Sequence, residues 1–198
     1  MVNCSTSLFP APETNVADDA VGVPGRKWYV AIVKHNAELK AAEQLRRLHY
    51  HTYVASQEEV RIRKNGRKVK VQRIVIPSKI FIFCTEQERR QIVLLPYILR
   101  FMTNIAGTSA PGMHKPLVTI PPYQIYILRF MLGQAEAPVE IVSRPYRKGQ
   151  PIKVVRGKLS GLTGEIHTAP DGSDSLIISL DILGYATVRI DAADIAPL

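Results

Sequence analysis

From position 60 to 73 the chain reads Val-Arg-Ile-Arg-Lys-Asn-Gly-Arg-Lys-Val-Lys-Val-Gln-Arg, two alternating segments joined by Asn65-Gly66. Asn-Gly between alternating apolar positions is the strongest short hairpin signal, because both residues accept the positive φ that tight turns require. Two neighbouring strands are therefore expected to pair antiparallel here. Arg61, Arg63, Lys64, Arg67, Lys68, Lys70 and Arg73 lie in this stretch, and no acid lies among them. A ribbon so rich in one charge has few partners inside a fold, so it is expected to project from the body of the protein.

The charge of the whole chain points the same way. Its 198 residues hold 26 Lys and Arg against 17 Asp and Glu, a net +9. Residues 26–133 hold 19 of those cations and 6 of the acids, a sum of +13. Residues 1–25 carry only acids (Glu13, Asp18 and Asp19), and residues 134–198 sum to −1. The excess belongs to one central block, which implies a polyanionic partner for that block alone.

Composition removes several classes. With 46% hydrophobic and 22% charged residues the chain is ordinary for a globular protein, and no apolar run approaches the roughly 20 residues that span a bilayer. Residues 1–25 lack the basic and apolar regions of a secretory signal and read as a disordered acidic leader, which makes the cytoplasm the default address. Cys4 and Cys84 make neither a disulfide framework nor a zinc site, and Cys84 reads as a small core residue. The histidines (His35, His49, His51, His114, His167) show no ligand spacing, no glycine-rich loop precedes a Lys-Ser or Lys-Thr pair, and no Ser or Cys has a nucleophile context. No catalysis, metal or cofactor is implied.

Local patterns give the order of elements. Lys27-Trp28-Tyr29-Val30-Ala31-Ile32-Val33 reads as a buried strand. Asn36 is placed to cap a helix whose stripe is Ala37, Ala41, Leu45 and Leu48, with Glu43 and Arg47 paired on its other side. A strand near His51 leads into the hairpin, Ile80-Phe81-Ile82-Phe83 reads as a doubly buried strand, and Thr85 to Glu88 has capping-box spacing ahead of a short helix stopped by Pro96. A strand near Leu99 follows, then a helix from Pro121-Pro122 with Ile125, Leu128, Arg129 and Leu132 on one side. The order is that of an α+β sandwich, one sheet with helices on a face. Residues 134–147 read as a linker. Residues 148–198 read as a small all-β barrel, with Gly157, Gly161 and Gly164 at its turns, another turn at Asp171-Gly172, and strands around Leu176 and Tyr185.

At this point the chain resembles the NusG family of transcription elongation factors. Lys27-Trp28-Tyr29-Val30, the basic hairpin after Glu58-Glu59, Pro77 ahead of the residue 80–83 strand, and Leu95-Pro96-Tyr97-Ile98 resemble its NGN domain. Gly157, Gly161, Gly164 and the stretch from Ile182 to Val188 resemble its KOW domain, an SH3-like barrel. The resemblance implies an NGN-like domain at 26–133 and a KOW barrel at 148–198. It further implies a non-enzymatic elongation and antitermination factor that binds RNA polymerase through the first and recruits a second partner through the other.

On this view a groove for polymerase helices is lined by Tyr50, Tyr53, Ile76, Pro77, Ile80 and Tyr97, while Phe81 and Phe83 are read as core. The hairpin cations contact backbone phosphates of the transcription bubble, and Lys34, His35 and Lys40 are candidates for the displaced strand, their other reading being polar surface. Ile182, Leu183 and Tyr185 either meet a ribosomal protein or the termination factor Rho, or simply pack the barrel. Ile76-Pro77-Ser78-Lys79 stands where the family has Phe-Pro-Gly-Tyr, a departure that fits the specialised paralogues serving particular long operons, often those for surface polysaccharides. The alternative is an RNA-binding or ribosome-associated KOW protein, against which the −1 sum of the last 65 residues weighs.

Overall fold

The computed structural model describes residues 24–104, 115–142, 149–168, 173–180 and 183–198. Most of the expected leader and the Asp171-Gly172 turn lie outside them. Apolar β1 (Lys27–Val33) pairs antiparallel with β5 (Lys79–Cys84), Trp28 opposite Phe83 and Val30 opposite Phe81. Beside β5 runs β2 (His51–Tyr53), and beside β1 run β6 (Ile98–Phe101) and the two-residue β7 (Thr119–Ile120). Because strand residues alternate in direction, this sheet has two apolar faces. Trp28, Val30, Phe81 and Phe83 lie on one, and Tyr29, Ala31, Val33, Ile80, Ile82 and Cys84 on the other.

Helices cover both faces, whereas the sequence suggested one. The Tyr29 face is closed by Ala41, Ala42 and Leu45 of α1 (Glu38–Arg47) and by Ile92 at the end of α2 (Glu86–Ile92). The Trp28 face packs in one cluster with α3 (Pro122–Gln134), through Ile125, Ile127, Leu128, Met131 and Leu132. That cluster continues into the C-terminal sheet, so α3 is buried on more sides than a single stripe allows.

Capping differs between the first two helices. Thr85 and Glu88 form the expected reciprocal capping box, with Glu88 N donating to Thr85 Oγ1 at 3.2 Å and Thr85 N to Glu88 Oε2 at 2.7 Å. Asn36 does not cap α1. It sits at φ 61°, and Ala37 is the N-cap, without a side-chain bond. Leu48, placed on the α1 stripe by its spacing, is half exposed at the helix end.

The last third forms a six-stranded antiparallel sheet in the order β13-β9-β10-β11-β12-β8. Its strands are β8 (Glu140–Val142), β9 (Gln150–Val154), β10 (Thr163–Thr168), β11 (Asp174–Ser179), β12 (Tyr185–Arg189) and β13 (Ile195–Pro197). β8 falls within residues 134–147, where the sequence suggested only a linker. Gly157 and Gly161 adopt positive φ in a turn, as expected, but Gly164 lies inside β10. A Cβ there would stand 2.5 Å from the Ile177 carbonyl oxygen, so close strand approach, and no turn, requires this glycine. No helix among the described residues is long and apolar enough to cross a membrane.

Candidate nucleic-acid interface

The hairpin is a separate two-stranded sheet of β3 (Ser56–Ile62) and β4 (Lys68–Ile74), with Ile62 opposite Lys68 and Ser56 opposite Ile74. Its end is a three-residue loop. Gly66 N donates to Arg63 O at 2.8 Å, Arg63 N donates to Arg67 O at 3.0 Å, and Gly66 takes φ 75°. This is a type I turn closed by a bulged glycine, the next commonest hairpin connection after a two-residue turn. Asn65 Oδ1 accepts from Arg67 N at 3.2 Å and fixes the loop.

Register sorts the ribbon into two faces. Gln57, Glu59, Arg61, Val69, Val71 and Arg73 share the inner face, of which Gln57 is buried. Glu58, Val60, Ile62, Lys68, Lys70 and Gln72 share the outer face, where Val60 and Ile62 are 55% and 68% exposed between lysines.

Three of the seven cations are already matched by acids. Lys70 Nζ meets Glu58 Oε1 at 2.7 Å, and that hydrogen bond holds the lysine above its ordinary pKa. Arg61 Nη2 and Arg73 Nε approach Glu59 Oε2 at 3.4 and 3.8 Å. Glu58 and Glu59 lie just ahead of the acid-free stretch, and an antiparallel register brings them back beside it. That was the signal the sequence offered and the charge run obscured. Arg63, Lys64, Arg67 and Lys68 at the exposed tip make no ion pair among the described residues.

A second cationic patch forms at the start of α1. Lys34, His35 and Lys40 are exposed, and Lys34 and Lys40 line one cleft of about 320 Å³ with Gln44, Pro96 and Tyr97. Tyr97, expected to face polymerase with Tyr53 and Ile76, lines this cleft beside Lys34 and Lys40.

The six residues expected to line a polymerase groove do not share a face. Tyr53 and Ile76 belong to the α3 side of the sheet, while Tyr50, Ile80 and Tyr97 belong to the α1 side. Adjacent strand positions point to opposite faces, so Ile80 and its neighbour Phe81 had to separate. Ile80 is wholly buried and Ile76 nearly so, and neither offers surface to a partner. Pro77 is exposed, and Tyr50 and Tyr97 are half-buried.

Tyr53 is held from within. Its ring lies 5.8 Å from that of Phe81, and the Arg129 guanidinium stands 4.7 Å from it and 5.5 Å from the ring of Trp28. Burial pushes the Tyr53 hydroxyl above its ordinary pKa and the Arg129 guanidinium below its own. The Tyr53 hydroxyl has no hydrogen-bond partner among the described residues.

The Ile76 to Lys79 departure keeps a glycine-like backbone. Ser78 stands at φ 61°, its N–H donates to the buried Glu38 Oε1 at 2.6 Å, and its carbonyl accepts from Val33 N at 3.0 Å. Of the C-terminal candidates, Leu183 and Tyr185 are half-buried, Tyr185 opening β12 opposite Ser179 and Val142, and Ile182 lies outside the described residues. Among the described residues no group of three or more His, Cys, Asp or Glu side chains is placed to hold a metal ion.

Comparison with known proteins adds three findings. A family model described as transcription termination factor nusG matches residues 26–141, more than half of the chain. The transcription termination/antitermination protein NusG of Thermus thermophilus is 24% identical over 149 residues, 74% of this chain and 79% of that protein. A solved structure described as domain interaction in Thermotoga maritima NusG covers 87% of this chain and 97% of its own, with 14% identity and a TM-score of 0.46.

Proposed function

Since the chain belongs to the NusG family of transcription termination and antitermination factors, we propose that it binds elongating RNA polymerase through residues 26–133 and lays its basic hairpin against nucleic acid of the transcription bubble. The observation that carries this reading is the tip, where Arg63, Lys64, Arg67 and Lys68 stand exposed and make no ion pair among the described residues. Such cations gain by displacing condensed counterions from phosphates, which gives affinity without reading sequence. Arg61, Lys70 and Arg73 contribute less, because each already faces a glutamate. Lys34, His35 and Lys40 extend the same potential to the start of α1.

The action needs no chemistry. A factor that contacts both polymerase and bubble favours the processive state if it binds that state more tightly than the paused one. Tyr50, Tyr97 and Pro77, which keep surface, are the protein contacts we assign from the expected groove. Val60 and Ile62 add an apolar strip on the outer face of the ribbon. The C-terminal sheet is the KOW-type module in this reading, presenting Leu183 and Tyr185 to a ribosomal protein or to Rho. The serine-bearing turn at Ser78 and the acid-rich first 25 residues favour a specialised antitermination paralogue over a general factor.

A pull-down with tagged full-length protein from its native cells tests the proposal. Recovery of polymerase, weakened by Tyr97→Glu in a protein of unchanged circular dichroism, supports it. Recovery of ribosomes without polymerase favours the RNA-binding alternative, and recovery of neither overturns the reading.

A further inference from the structure

Gln57 is the buried polar residue of the ribbon's inner face, at 6% exposure, and all four hydrogen-bonding positions of its amide are filled. Its Nε2 donates to Ala135 O at 3.1 Å and to Ala137 O at 3.0 Å. Its Oε1 accepts from Val139 N at 3.0 Å and from Arg73 Nη2 at 3.2 Å. Arg73 Nη2 also donates to Val139 O at 2.8 Å. The pattern fixes the amide, since a flipped one would set its oxygen against two carbonyls.

The chain segment gripped in this way leads from α3 into the C-terminal sheet. Ala135 follows the last residue of α3, Val139 is fully buried, and β8 begins at the next residue, pairing Glu140, Ile141 and Val142 with Thr187, Ala186 and Tyr185. No slack remains between the end of α3 and β8. Beside the segment, Lys158 Nζ meets Glu136 Oε1 at 2.9 Å, an exposed pair that contributes little alone. The apolar cluster that joins the Trp28 face to α3 runs on through Val139 to Ile152, Val154 and Val188.

We infer that Gln57 and Arg73 are positioning residues, a clasp that fixes the direction of the basic hairpin relative to the C-terminal sheet so that the two move as one unit rather than on a free tether. A buried amide with every position satisfied is costly to open, because the Gln57 amide and the buried Val139 N–H would lose their partners inside the fold. A partner held by the C-terminal sheet therefore stands at a set bearing from whatever the hairpin tip touches. The inference holds whether or not the tip binds nucleic acid.

Electron-electron distance measurements on full-length protein test it. In a Cys4→Ser background, where Cys84 is buried, spin labels are placed at Lys64→Cys on the tip and Ser179→Cys on the C-terminal sheet. The parent is expected to give one narrow distance distribution. Gln57→Met, close in volume but unable to hydrogen-bond, should free residues 135–139 and broaden it, a flexible segment of about five residues spreading on the order of 12 Å. The melting profile of the sheets should persist, which separates positioning from general support. Arg73→Met, at a half-buried position, serves if Gln57→Met does not fold. A broad distribution in the parent overturns the inference, as does a narrow one unchanged in both variants.

Discussion

Replacing Arg63, Lys64, Arg67 and Lys68 together with glutamine isolates the part of the hairpin that makes no ion pair among the described residues. Charge release on phosphate binding lowers the logarithm of affinity with the logarithm of salt, by about 0.9 per phosphate on duplex and about 0.7 on single strands. Four phosphate contacts removed together therefore reduce the slope by about 3.6 on duplex and about 2.8 on a single strand. Raising salt from about 50 to about 200 mM then costs the parent about two orders of magnitude more affinity for duplex than it costs the variant. The matched control is Arg61→Gln with Lys70→Gln. These two cations already face Glu59 and Glu58 at 3.4 and 2.7 Å, so they displace fewer counterions from phosphates than the tip cations do. Per residue, the control should move the slope less than the tip variant does. Fluorescence anisotropy with labelled duplex, single-stranded and bubble oligonucleotides over a salt series measures both. The reasoning is refuted if the tip variant keeps the parent's slope, or if the paired and unpaired cations prove equal per residue.

Three further outcomes follow from the body of the fold. Ser78→Gly should stabilise the protein by up to about 1 kcal/mol in urea unfolding, because a left-handed backbone costs an L-residue about 1–2 kcal/mol and glycine gives back part of that as chain entropy; a loss of stability would contradict it. In a Cys4→Ser background Cys84 should resist alkylation at neutral pH until denaturant is added, since burial pushes its thiol up to about 12, and rapid labelling of the folded protein would show otherwise. The hydrogen bond from Arg89 holds the Glu86 carboxyl down at about 2 against an ordinary 4.5. A depressed folded-state value contributes stability above the ordinary one and loses it as pH falls, so Glu86→Gln should flatten the stability curve between pH 4.5 and pH 2. The effect should be modest because the Glu86 side chain is 45% exposed, and an identical acid limb in parent and variant would count against it.

Features that depend on nearby residues were legible in the sequence. The Thr85 and Glu88 capping box, the apolar runs of β1 and β5, and the Asn65-Gly66 hairpin each rest on contacts within a few positions, and each formed. Features set by distant partners were not. β7, β8 and β13 have two or three residues each and exist through pairing with β1, β12 and β9. Sequence spacing marks α3 as one-sided because its neighbours in the C-terminal sheet leave no local pattern, and marks Gly164 as a turn because the approach of β11 leaves none either.

The candidate site divides in the same manner. Cationic character at the tip was plain, yet the pairing of Lys70 with Glu58 required the register. Residue type alone marks the groove candidates, and strand parity sends Tyr53 and Ile80 to opposite faces. Gln57 gives little sign of its role, since three of its four partners are main-chain groups at Ala135, Ala137 and Val139, about eighty positions away.

Single-round transcription with polymerase purified from the same cells, on a template carrying a terminator, goes to the heart of the proposed role. Added full-length protein should stay with the halted elongation complex and raise read-through, and Tyr97→Glu should remove both effects. If the protein neither remains with the complex nor alters the length distribution of the RNA, it does not act on elongating polymerase.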